Sequence, residues 1–129
     1  MKSAALALLS LALPLGLPSF TLAETNFTTG LSLDGDSEVK TVKYDCDHHD
    51  PIVVKYLNAA PNFLALVPIE HEGTTRTIVF VNVVSASGAK YVAGQYIWWN
   101  KGNDGTLSDT TEGLDAAPVL SCSEEVDTP

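Results

Sequence analysis

From Val39 onward, apolar and polar positions alternate in short runs separated by turn-forming residues. Val39 to Tyr44 alternates imperfectly, and Ile52 to Leu57 is β-branched and aromatic with Lys55 facing out. Phe63 to Ile69 is a short apolar strand, and Thr74 to Val84 (TTRTIVFVNVV) is the strongest strand of all. Ala89 to Val92 and Gln95 to Trp99 flank the tight connection Ala93-Gly94. Thr106 to Ser108 is brief, and Ala117 to Cys122 ends the series. Between these runs lie Asp47 to Pro51, Asn58 to Asn62, His71 to Gly73, Val84 to Gly88 and Asn100 to Gly105, the last read as a loop rich in residues that tolerate left-handed backbone. No segment carries a convincing helical period. About eight short strands at a spacing of roughly 8–12 residues predict an all-β antiparallel sandwich or barrel.

The residues before Val39 have a different texture. Lys2 is followed by an apolar run from Ala4 to Leu15, and Thr21-Leu22-Ala23 places small side chains where a signal peptidase reads them. Residues 1–23 therefore read as an export signal cleaved before Glu24. The run is shorter than the roughly 20 residues a spanning helix needs. The chain's first cysteine is Cys46, so no residue near the cleavage point can take a lipid, and no membrane anchor is expected after cleavage. Residues 24–38 read as a flexible acidic leader, residues 39–122 as the folded domain and residues 123–129 as an acidic tail.

Export changes the meaning of the cysteines. In an oxidising compartment the even pair Cys46 and Cys122 reads as one disulfide, tying the first strand to the last. Such a bond suits a barrel, because closure removes exposed edges. The spacing is unlike the C-x-x-C of redox-active pairs.

Charge narrows the partners. The full chain carries −9, and loss of residues 1–23 removes Lys2 and no acid, leaving −10. Such a surface repels nucleic acid and anionic membranes and attracts basic partners. Catalytic patterns are lacking. There is no G-x-S-x-G elbow, no H-E-x-x-H motif and no phosphate-binding glycine pattern, so neither an enzyme nor a bound cofactor is expected. Asp47-His48-His49-Asp50 invites a metal reading, but adjacent histidines on a strand point apart, and a polar turn is the better reading.

Ser87 to Leu107 concentrates what remains: both tryptophans, Tyr91, Tyr96 and Lys101. Alternation sends Trp98 and Trp99 to opposite faces of a sheet and leaves open which one is inward. The pattern Ser87-Gly88-x-x-Tyr91, then Trp99-x-Lys101-Gly102-x-x-Gly105-x-Leu107, resembles the signature of the inhibitors of C-type lysozyme of Gram-negative bacteria, the MliC/PliC family. The family usually has alanine where this chain has Gly105. The resemblance implies a small eight-stranded antiparallel β-barrel closed by the Cys46–Cys122 disulfide, located in the periplasm and acting on C-type lysozyme. It implies that Ser87 and Lys101 enter the lysozyme cleft, while Gly88, Tyr91, Trp99, Gly102 and Leu107 shape and support the site. The alternatives are a periplasmic barrel holding a small apolar ligand and a module that self-associates as a homodimer through its aromatic surface.

Overall fold

A computed structural model describes residue 16 and residues 30–126 of the chain. The expected export signal and the first part of the leader lie outside the described residues. Every described strand lies in the unit Ser32–Pro129.

Eight strands follow one another: β1 (Glu38–Cys46), β2 (Ile52–Ala59), β3 (Asn62–His71), β4 (Thr74–Val83), β5 (Ala89–Ala93), β6 (Tyr96–Lys101), β7 (Asp104–Asp109) and β8 (Leu120–Glu124). Each pairs antiparallel with the next, and β8 returns to β1 to close a barrel. The β1–β8 seam is short, with only Tyr44 opposite Glu124, Asp45 opposite Ser123 and Cys46 opposite Cys122. The disulfide joins that last pair. The seam is extended by Asp47 N donating to Ser121 O at 2.8 Å, by Glu125 N donating to Lys43 O at 2.9 Å and by a 2.7 Å ion pair between Lys43 and Glu125.

The inward positions follow the strand period of two. Val42 and Tyr44, Val54 and Tyr56, Ala65, Val67 and Ile69, Phe80, Tyr91, Trp98, Leu107, Leu120 and Cys122 fill the interior. The buried hydroxyls and amides satisfy one another. Tyr56 Oη donates to Asn100 Oδ1 at 3.1 Å and accepts from Trp98 Nε1 at 2.9 Å. Its proton is thereby used, so Tyr44 Oη is the donor in the 2.9 Å contact between the two tyrosines, and Tyr44 in turn accepts from Asn100 Nδ2 at 3.1 Å. Tyr44 and Trp98 also meet edge to face at 5.3 Å.

Three departures from the sequence expectations have physical causes. Asn100 to Gly105 is not a loop. β6 runs to Lys101 and β7 starts at Asp104, which leaves a two-residue turn whose Gly102 has φ +60°. Glycine at the first turn position is what a tight type II′ hairpin favours. The last strand starts at Leu120, not Ala117, because Pro118 has no N–H for the ladder; pairing begins where Val119 N donates to Leu107 O at 2.7 Å. The stretch Asp109 to Ala116, which reads in the sequence as polar and loose, opens with a 3₁₀ turn over Thr110–Glu112. Asp109 caps it through Thr111 and also accepts from Gln95 Nε2 at 2.9 Å, which links it to the β5–β6 turn.

Candidate functional site

Connections in an up-and-down barrel alternate between its two ends. The β4–β5 loop, with Ser87 and Gly88, and the β6–β7 turn, with Gly102, therefore share one end. Register brings their flanks together: Ala89 lies opposite Asn100 and Lys90 opposite Trp99. Gly88 makes the approach possible. Its φ is +64°, and a side chain there would run into the carbonyl oxygen of Asn100 and the Cγ of Lys101. Only glycine fits both the backbone conformation and the gap.

The indole of Trp99 fastens the two elements. Trp99 lies on the outer face of β6, half-buried, and its Nε1–H donates to Ser87 O at 3.0 Å. The Ser85 hydroxyl reaches the carbonyls of Ser87 and Gly88, each at 3.1 Å. The backbone of the loop is thus held from both sides. The Ser87 hydroxyl itself is exposed and has no partner among the described residues. Lys101 Nζ lies over the Trp99 ring, 3.8 Å from its centroid, and Lys90 Nζ lies 4.0 Å from the same centroid. Both ammonium groups are therefore held near Ser87, with no carboxylate in ion-pair contact among the described residues.

The supporting residues separate by face. Tyr91 and Leu107 point into the barrel and are buried, whereas Gly102 sits in the exposed hairpin turn. Trp98, not Trp99, is the tryptophan that fills the interior, with no exposed surface. Gly105 lies directly under it: a Cβ there would stand 2.6 Å from the Trp98 ring, so alanine at this position would require the indole to shift. Burial raises the phenol pKa of Tyr44, Tyr56 and Tyr91, and the hydrogen bond that Tyr44 donates to Tyr56 adds to the effect at Tyr44. These groups stay neutral at physiological pH and act as structure.

Two residues here carried no signal in the sequence. Lys90 occupies an unspecified position of the signature and appears only through its register with Trp99. Ser85 shows its role only through its hydrogen bonds. Asp47 to Asp50 forms a turn with His48 at φ +59°, and among the described residues no cluster of histidine, cysteine and carboxylate side chains is arranged for a metal. A cavity of about 610 Å³ opens at the opposite barrel end, between the β1–β2 and β3–β4 turns and the segment before β8, and touches neither Ser87 nor Lys101.

Fold and site together define a small antiparallel β-barrel: a disulfide-closed shell with a cationic, hydroxyl-bearing rim at one end. The sequence matches the family model described as membrane-bound lysozyme-inhibitor of c-type lysozyme over residues 44–115. The membrane-bound lysozyme inhibitor of C-type lysozyme of Pseudomonas aeruginosa is 45% identical over 96 residues, covering 73% of each chain. The protein of the same description from Cupriavidus necator is 40% identical over 83 residues, 64% of this chain and 63% of the other. A crystal structure of Pseudomonas aeruginosa MliC in complex with hen egg white lysozyme matches with a TM-score of 0.61 and 40% identity, covering 79% of this chain and all of that one. The chain belongs to the MliC family of lysozyme inhibitors.

Proposed function

We propose that this protein inhibits C-type lysozyme by placing Lys101 and Ser87 in the catalytic cleft. The observation that carries the reading is the cluster at one barrel end. There a lysine at the end of β6 and a serine of the β4–β5 loop are drawn together by Gly88 and Trp99, with their polar ends exposed. It is supported by the 40% identical neighbour that was crystallised with hen egg white lysozyme.

The target chemistry fits. Lysozyme works with a protonated glutamic acid and an ionised aspartate on either side of the scissile bond. An ammonium offers three donors and a positive charge to those carboxyls, and a hydroxyl both donates and accepts. Trp99 holds Lys101 before binding, so less side-chain freedom is lost on association. The acidic remainder of the barrel draws in a strongly basic enzyme, while its few cations meet the acidic cleft.

With residues 1–23 read as an export signal, the protein works in the periplasm, where it shields peptidoglycan from host lysozyme. The test is a titration of hen-type lysozyme with purified residues 24–129 while lysis of a bacterial wall suspension is followed. Arrest at about one inhibitor per enzyme is the expected result. Undiminished lysis at a large excess would end the proposal.

A further inference from the structure

Lys90 precedes Tyr91 on β5. Tyr91 points inward, so Lys90 points outward, directly across from Trp99. The result is an unusual concentration of charge. A chain with 16 acidic and 7 Lys and Arg residues holds two lysine ammonium groups on a single indole. Like charges so placed repel each other, and the negative face of the ring offsets only part of that repulsion. Neither ammonium makes an ion pair among the described residues, although Asp104 stands opposite Lys101 in the hairpin register. A cation needed only for solubility has no reason to sit there.

The two charges are also confined in distance. With one Nζ 4.0 Å and the other 3.8 Å from the same centroid, they are at most the sum of those lengths apart. The carboxyls of a retaining glycosidase are separated by roughly 5–5.5 Å. Two ammonium groups tethered to one ring therefore suit two carboxyls tethered to one cleft better than a single ammonium does.

We propose that Lys90 is a second cationic contact to the lysozyme cleft, presented with Lys101 by the indole of Trp99. The inference rests on the cleft reading of Ser87 and Lys101 and adds to it a residue that the signature leaves unspecified. Trp99 is the positioning residue: its ring orients both lysines, and its Nε1–H fixes the loop that carries Ser87.

The test compares inhibition constants of the wild type, Lys90→Met, Lys90→Arg and Lys101→Ala against hen-type lysozyme at several salt concentrations. Thermal melts check that every variant is folded. Methionine keeps a long side chain over the ring without the charge, and arginine keeps the charge. Lys90→Met is expected to raise the inhibition constant about tenfold and to flatten its salt dependence, with Lys90→Arg within about twofold of wild type. If Lys90→Met inhibits as wild type while Lys101→Ala is weakened, Lys90 is no contact and the cleft reading stands. If Lys90→Met and Lys90→Arg lose equally, the side chain only packs on Trp99 and the proposal fails. If neither Lys90→Met nor Lys101→Ala changes inhibition, the cleft reading itself falls.

Discussion

Lys101 is where local chemistry and proposed function meet most closely. A close interfacial charge pair couples with roughly 1.5–7 kcal/mol in measured systems, so Lys101→Ala is expected to weaken lysozyme binding at least about tenfold, mainly through faster dissociation. Dissociation rates measured by surface-based kinetics check this. Gly88 makes a different demand. Alanine there must hold a positive φ and clear the Asn100 carbonyl, so Gly88→Ala is expected to cost about 1–3 kcal/mol in a denaturant melt and to move Ser87 away from Lys101. The signature singles out Ser87 and Lys101 as the residues proposed to enter the cleft, and the register of β5 with β6 brings their flanks to one barrel end. The choice between Trp98 and Trp99 was not legible. Alternation says only that they oppose each other, and the inward face is set by the pairing of β6 with Tyr91 and Leu107. Lys90 was invisible for the same reason, because its neighbour Trp99 is set by cross-strand register rather than by sequence distance.

At the level of strands and hairpins, the alternation located all eight strands but misjudged the ends of those rich in turn formers. Asn100 and Gly105 look like loop residues by composition, yet both point inward. Asn100 joins the tyrosine network, and Gly105 makes room for Trp98. A residue chosen for what it packs against gives no propensity signal. The network that these residues complete ties β1, β2 and β6 together next to Lys101. Tyr56→Phe would leave the Tyr44 hydroxyl proton, Trp98 Nε1–H and Asn100 Oδ1 without their partner. A loss of about 1–3 kcal/mol for each buried unpaired group is expected, read as a shift of the urea midpoint. The same deletion loosens the support under Lys101, so inhibition should weaken along with stability.

For the molecule as a whole, closure and charge are the governing features. The Cys46–Cys122 bond closes a loop with a sequence separation of 76 at the short β1–β8 seam of the barrel. Replacing both cysteines by serine is expected to cost about 2–5 kcal/mol, measured by thermal melting under otherwise equal conditions. An antiparallel sandwich or barrel was readable from strand spacing, one disulfide from the even cysteine pair, and the closed eight-stranded barrel from the family resemblance. The seam's short register was not, because the two strands that form it lie at opposite ends of the sequence. Stability also has an alkaline limit. Tyr44, Tyr56 and Tyr91 have folded-state pKa values raised by burial above the ordinary value of 10.0. The folded state then keeps protons that the unfolded chain has lost, so the stabilisation is intact below about pH 10 and declines as pH rises beyond it. Tyrosinate absorbance should therefore rise together with loss of the fold. The net acidic surface predicts in addition that association with a basic lysozyme slows as salt increases.

Occupancy of the catalytic cleft is the central claim, and competition with a sugar ligand tests it most directly. Binding of the wild-type protein to C-type lysozyme would be measured by calorimetry with and without a saturating chito-oligosaccharide that fills the cleft. If Lys101 and Ser87 lie in the cleft, the apparent affinity falls in proportion to saccharide concentration, and complexes with both ligands do not form. An affinity unchanged at saturating saccharide would place the inhibitor elsewhere on the enzyme and contradict the account.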